Sequence, residues 1–172
     1  MLRKKIFLTE EKIKQRVEQL GKEISSAYLN QEVMMVGVLK GAFIFMADLV
    51  RGLTIPVKVD FVAISSYGFS SQSSGVVQII KDIGQSITNQ QVLIIEDIVD
   101  TGLTLHYLKE RLLAREPKEV KICALLDKPA RREVPLEVDY AGFVVPDAFL
   151  VGYGLDYQEK YRNLRDIFII EV

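Results

Sequence analysis

The stretch Val92-Leu93-Ile94-Ile95-Glu96-Asp97-Ile98-Val99-Asp100-Thr101-Gly102-Leu103-Thr104 decides the fold. Val92 to Ile95 is continuously apolar, as expected of a strand buried on both faces of a helix-covered sheet. Glu96-Asp97 ends it, and a third carboxylate, Asp100, lies within five residues of the first. A core disfavours unpaired charge, so packing does not select these residues. Asp100-Thr101-Gly102 reads as a turn, and Leu103 to Arg115 as the helix it leads into. Glu119 to Leu126 is the next strand.

Working towards the N-terminus, the same unit recurs. Val33 to Val38 is a second fully apolar run, Leu39-Lys40-Gly41 breaks it, Ala42 to Arg51 reads as a helix, and Val57 to Ile64 is a β-branched strand. Two strand–helix–strand units predict an α/β fold with a mostly parallel sheet and helices on both faces. Ligands in such folds bind beyond the carboxyl ends of the strands. That draws attention to Leu39-Lys40-Gly41, Glu96 to Thr104, and Asp127-Lys128.

The flanks are simpler. Residues 9–28 read as an amphipathic helix with Thr9 as cap, Glu10 and Glu11 at its positive end, and a stripe of Ile13, Val17, Leu20 and Ile24. Val76 to Lys81, Val138 to Val145, Phe149 to Tyr153 and Ile167 to Val172 are strand candidates. Residues 65–75, Ser65-Ser66-Tyr67-Gly68-Phe69-Ser70-Ser71-Gln72-Ser73-Ser74-Gly75, cannot pack a core and read as disordered or as a functional lid.

Composition bounds the function. The 172 residues make one domain, 1–172, with 49% apolar and 26% charged residues. Twenty-two Lys and Arg against 23 Asp and Glu leave a net charge of −1, so a bulk basic field for nucleic acid is absent. The single cysteine, Cys123, excludes an intrachain disulfide, and the single histidine, His106, excludes a Cys/His metal site. His106 falls on the helix after the Thr-Gly turn and reads as structural. The most membrane-like window, Val33 to Val50, is interrupted by Lys40 and Asp48, and one charge near mid-bilayer costs about 3 kcal/mol. No targeting segment is visible. A cytoplasmic chain with no membrane or nucleic-acid partner is expected.

The central segment also carries chemistry. Free N–H groups at the start of a helix attract anions. Gly102 allows close approach, and Thr101 and Thr104 add hydroxyls. Carboxylates beside an anion cradle repel phosphate unless they accept hydrogen bonds from sugar hydroxyls or hold Mg²⁺. The pattern therefore describes a site for a magnesium-bound sugar phosphate. It is no Walker loop, since Gly21-Lys22 continues to Glu23, and Gly152-Tyr153-Gly154 is no dinucleotide fingerprint.

Glu96 to Thr104 resembles the phosphoribosyl-pyrophosphate (PRPP) signature of the type I phosphoribosyltransferases. The whole chain is similar to the short bacterial branch of that family that acts on hypoxanthine and guanine. The likeness rests on Leu39-Lys40-Gly41-Ala42, Ser66-Tyr67-Gly68, Glu96 to Thr104, Asp127-Lys128, and Val145 to Phe149 through Gly152 to Asp156-Tyr157 and Arg162, in that order. Ser71 departs from the Thr commoner in the family's mobile loop.

The resemblance implies a type I phosphoribosyltransferase fold with a small hood built from the N- and C-terminal segments. It implies Mg²⁺-dependent transfer of phosphoribosyl from PRPP to a 6-oxopurine, giving IMP or GMP and pyrophosphate. Asp100 is then the proton-transfer residue beside N7. Glu96 and Asp97 hold the ribose hydroxyls and Mg²⁺, and Thr101, Gly102, Leu103 and Thr104 hold the 5′-phosphate. Lys40 and Gly41 form a pyrophosphate loop, which in the family often has a cis peptide before the lysine, and Arg162 binds pyrophosphate. Lys128 donates to O6, Phe149 stacks on the base and Leu150 offers backbone groups to its edge. Asp156 serves a second Mg²⁺ or the exocyclic group of guanine, and Ser66 and Tyr67 lead a closing lid. A homodimer or homotetramer is expected. A xanthine-preferring relative and a nucleotide-sensing RNA-binding regulator on the same fold are the alternatives. The latter would need a basic face from Lys128, Arg131 and Arg132 or from Lys109, Arg111 and Arg115.

Overall fold

A computed structural model describes residues 3–67 and 76–171. The order is β1 (Lys4–Leu8), α1 (Glu10–Ala27), β2 (Val33–Leu39), α2 (Phe43–Arg51), β3 (Val57–Tyr67), β4 (Val76–Lys81), β5 (Gln91–Val99), α3 (Leu103–Leu113), β6 (Glu119–Asp127), a 3-10 turn (Pro129–Arg131), β7 (Tyr140–Val144), β8 (Leu150–Val151) and β9 (Ile167–Ile170). Six strands form the main sheet in the order β4-β3-β2-β5-β6-β7. Only β4 runs antiparallel to its neighbour. A second, antiparallel sheet, β1-β9-β8, is the hood.

Alternation along the buried strands divides the core. Leu93, Ile95, Cys123 and Leu125 pack with α1 and α2 through Leu20, Phe45 and Leu49. Val92, Ile94, Ile122 and Ala124 pack with α3 through Leu105, Leu108 and Leu112. Both faces are covered, which is why these strands read as unbroken apolar runs. Helix α1 starts as its sequence dictates: Thr9 accepts a hydrogen bond from the Lys12 N–H, and Ile13, Val17, Leu20 and Ile24 are buried. Arg16 ties the helix to β7 through the carbonyls of Ala141 and Gly142.

Several boundaries differ from the sequence reading. β5 does not stop at Glu96-Asp97 but runs to Val99, because β6 still pairs with it at Glu96↔Ala124, Ile98↔Leu126 and Val99↔Asp127. Backbone pairing, not side-chain polarity, decides where the strand ends. β3 likewise continues to Tyr67, carried by β4. β1 has only the short apolar run Ile6-Phe7-Leu8, too short to mark a strand by itself, and is held extended by pairing with β9. Among the described residues, no helix is long and apolar enough to cross a membrane.

Candidate active site

The site begins where β2 and β5 part. Their pairing ends at Gly37↔Ile95, while β2 stays on β3 as far as Leu39↔Ala63. The last residues of β5 therefore have a partner on one side only. Chain connections diverge here, β2 towards β3 and β5 towards β6, which makes it the topological switch point of the sheet. Glu96 and Asp97 occupy that opening.

Across it lies the Leu39-Lys40-Gly41 loop, with a cis peptide between Leu39 and Lys40. A Cβ on Gly41 would sit 1.8 Å from Asp97 Oδ2, so glycine lets the loop lie against the carboxylate without displacing it. Asp97 Oδ1 accepts the Ile98 N–H at 2.8 Å, and Glu96 Oε1 accepts the Asp97 N–H at 3.0 Å. Burial, then the neighbouring Asp97 charge, pushes the Glu96 carboxyl well above the usual carboxylate range. A divalent cation is the charge this pair lacks. Among the described residues there is no cluster of three or more metal-ligating side chains. Two carboxylates with water and substrate oxygens completing the shell is the mode that suits Mg²⁺.

The turn after β5 is built from both ends. Gly102 takes φ +82 at the start of α3, and its carbonyl accepts the His106 N–H at 2.8 Å. Thr101 Oγ1 accepts a long bond, 3.4 Å, from the Leu103 N–H. The segment after β6 clamps the turn from outside. Lys128 N–H donates to Val99 O and Glu133 N–H to Thr101 O, each at 2.9 Å. Arg132 donates to Asp100 O at 3.0 Å and to the Asp127 carboxylate. Arg131 Nε forms an ion pair with Asp100 Oδ1 at 2.8 Å, and among the described residues this buried oxygen has no other polar partner. Arg131 also reaches Asp147, at 3.4 Å.

On the far side, Lys128 is a buried cation whose Nζ donates to Ala148 O at 2.7 Å. Phe149 is 46% exposed and meets the Tyr157 ring edge-on, with centroids 5.4 Å apart. Leu150 is buried and pairs with Ile169 in the hood. A half-exposed aromatic face beside a buried ammonium group suits a flat, polar-edged ring.

The C-terminal segment closes the loop side. Arg162 donates to Gly154 O at 2.8 Å, and pairs with Asp156 Oδ1 at 3.0 Å and Glu159 Oε1 at 3.4 Å. Asp156 Oδ2 accepts the Glu159 N–H at 2.9 Å, so both Asp156 oxygens are engaged within the chain. Glu159 also pairs with Lys40 at 2.9 Å.

Residues expected from three strand ends and the C-terminal segment thus come together. Gly41 meets Asp97, the Asp100 turn meets the segment after Lys128, and Asp156 and Arg162 meet the Lys40 loop through Glu159 and Gly154. Ser66 and Tyr67 end β3, opposite Val77 and Val76. The remainder of the expected lid, including Ser71, lies outside the described residues. The sequence marks Asp127 and Gly154 only as parts of motifs, gives neither a role of its own, and leaves Glu159 unmarked. Arg131 and Arg132, candidates for a basic face in the sequence, grip the Asp100 turn and its neighbours. Their position just past a strand that parallels β5 was the available signal.

A phosphoribosyl transferase domain model matches residues 5–158. The chain is 49% identical over 167 residues to the hypoxanthine-guanine phosphoribosyltransferase of Bacillus subtilis, covering 97% of this chain and 93% of that protein. It is 49% identical over 168 residues to its counterpart in Aquifex aeolicus, covering 97% and 94%. Among solved structures, a hypoxanthine-guanine phosphoribosyltransferase of Bacillus anthracis superposes with a TM-score of 0.94 at 43% identity, over 99% of this chain and all of that one. With the switch-point site and these likenesses in hand, the chain belongs to the phosphoribosyltransferase family.

Proposed function

We propose that this chain is a purine-salvage enzyme that transfers the 5-phosphoribosyl group of PRPP to N9 of hypoxanthine or guanine. The C1′–O bond to pyrophosphate breaks, the C1′–N9 bond forms, and the purine gives up one proton; the products are IMP or GMP and pyrophosphate. One observation carries the reading: acidic residues, a glycine-started helix and a glycine loop converge at the switch point, with a buried lysine and an exposed aromatic ring beside them. The close relatives' names support the same reading.

The first turn of α3, with Thr101 to Thr104, holds the 5′-phosphate on its free N–H groups. Glu96 and Asp97 accept the ribose hydroxyls and are the residues that would hold Mg²⁺. When bound, Mg²⁺ neutralises charge on the departing pyrophosphate. Lys40, the Gly41 backbone and Arg162 receive that pyrophosphate, the planar guanidinium matching phosphate oxygens. Glu159 yields its two cations as the substrate arrives.

Asp100 takes the purine proton, at N7, as the new bond forms. Its Oδ1 is paired with Arg131 at 2.8 Å, a contact that loosens as the carboxylate takes the proton. Lys128 donates to O6 of the base, Phe149 stacks on its face, and the Leu150 backbone meets its edge. Asp156 meets the exocyclic amine of guanine or a second Mg²⁺; either requires it to loosen from Arg162 or from the Glu159 N–H. Ser66 and Tyr67 lead a lid whose closure excludes water. The protein acts as a homodimer or homotetramer in the cytoplasm.

The test is pyrophosphate release with Mg²⁺ and PRPP, offering hypoxanthine, guanine, xanthine and adenine separately. Release with hypoxanthine and guanine but not adenine is expected. No release with either of the first two would overturn the proposal.

A further inference from the structure

The two halves of the proposed pyrophosphate site come from different parts of the fold. Lys40 and Gly41 join β2 to α2, whereas Arg162 belongs to the C-terminal segment. Gly154 links them. It takes φ +99, and a Cβ there would sit 2.2 Å from Gly41 O, so its backbone lies directly on the loop. It is tied to Arg162 in both directions: its N–H donates to Arg162 O at 3.0 Å, and its carbonyl accepts from the Arg162 guanidinium at 2.8 Å.

The residue before it, Tyr153, has a buried side chain and φ +50, a conformation that bulky residues rarely adopt. Its hydroxyl donates to Asp48 Oδ2 at 2.5 Å, and Arg51 holds the other oxygen of Asp48. Asp48 lies on α2, the helix that continues directly from the Lys40 loop through the Phe43 N–H to Lys40 O bond. Burial, then the bond to Asp48, holds the phenol proton far above its ordinary range, so the group donates throughout the working pH range. Behind this contact the packing is open. Tyr153 and Asp48 line a cavity of about 510 Å³ between α1, α2 and the C-terminal segment. The Tyr153 ring packs in the core with Phe45 and Leu49 of α2, and the hydrogen bond to Asp48 adds a directional contact to that packing.

We propose that Tyr153 is a positioning residue for this reaction: its hydrogen bond to Asp48 pins the Gly154 turn onto the Lys40–Gly41 loop and so sets where Arg162 stands relative to Lys40. The proposal rests on the reading of Lys40 and Arg162 as the pyrophosphate ligands. It assigns a purpose to Gly152-Tyr153-Gly154 that no phosphate fingerprint explains.

The experiment measures KM for PRPP and for hypoxanthine, and calorimetric Kd for magnesium pyrophosphate, in Tyr153→Phe, Asp48→Asn, Asp48→Leu and Lys40→Ala. Tyr153→Phe should weaken PRPP and pyrophosphate about tenfold or more, the lower end of the scale of one hydrogen bond to a charged acceptor. KM for hypoxanthine should stay within about twofold, because Lys128 and Phe149 do not depend on the contact. Asp48→Asn keeps an acceptor and should stay close to wild type, whereas Asp48→Leu should match Tyr153→Phe. A lower thermal midpoint with unchanged PRPP and pyrophosphate affinities would overturn the proposal, and so would an equal weakening of hypoxanthine. If Lys40→Ala also leaves pyrophosphate binding unchanged, the reading of the site fails; if it weakens binding and Tyr153→Phe does not, only the positioning role fails.

Discussion

Gly41→Ala puts one methyl group where the site has no room for it. The new Cβ would lie 1.8 Å from Asp97 Oδ2 and 2.6 Å from its Cγ, against an ordinary contact of 3.4 Å or more. The carboxylate must retreat by about 1.6 Å, the shortfall in that contact. Retreat breaks the 2.8 Å bond between Asp97 Oδ1 and the Ile98 N–H. Overpacking of this kind costs about 1–3 kcal/mol of stability. Asp97 is only partly buried and can swing, so the low end applies, a fall of about 2–4 °C in thermal midpoint. The functional loss is larger, because misplacing a reactive arrangement by about 1 Å costs roughly a hundredfold. Steady-state kinetics with PRPP varied at several Mg²⁺ concentrations should show kcat/KM for PRPP down about a hundredfold and a raised Mg²⁺ requirement. A variant within about threefold of wild type, with an unchanged Mg²⁺ requirement, would refute the view that Gly41 and Asp97 are fitted to each other.

Three further outcomes follow from the same geometry. Asp100→Ala should lower kcat by about 10²–10⁴-fold, the usual weight of a general base, with PRPP affinity little changed; equal losses in both would assign Asp100 to binding. Glu159→Gln frees Lys40 and Arg162 from an internal anion, so PRPP affinity should rise a few-fold at low salt and the gain should fade as salt screens the pairs; weaker PRPP binding would mean that Glu159 organises the site instead. Because burial and Asp97 raise the Glu96 carboxyl, protons compete with Mg²⁺, and the Mg²⁺ concentration for half-maximal activity should fall as pH rises above the ordinary glutamate range; a flat profile contradicts this. In the metal-free protein the sign reverses. The folded state holds the Glu96 proton more tightly than the unfolded chain does, so this group's contribution to stability declines as pH rises from the ordinary glutamate value through the raised one.

The fold was legible because its core strands are covered on both sides. Val33–Val38 and Val92–Ile95 could be read as parallel strands from apolar continuity alone, and Thr9 with its stripe marked α1. β1 was invisible for the opposite reason: Lys4–Leu8 is a mostly exposed strand whose only reason to be extended is β9, some 160 residues away in sequence. The carboxylates, the Thr-Gly turn and the lysines were visible as residue types that packing does not select. Their supports were not visible. Gly154 against Gly41, Arg132 on the Asp100 turn and Tyr153 on Asp48 are contacts between distant segments, and single-chain periodicity carries no trace of them.

The most direct measurement is a crystal structure with IMP, Mg²⁺ and pyrophosphate bound. The account predicts the 5′-phosphate on the N–H groups of Thr101 to Thr104, O6 at Lys128, the base over Phe149 and pyrophosphate between Lys40 and Arg162. A nucleotide seated elsewhere, for instance in the cavity beside Tyr153 and Leu164, with the opening between β2 and β5 left to solvent, would contradict it.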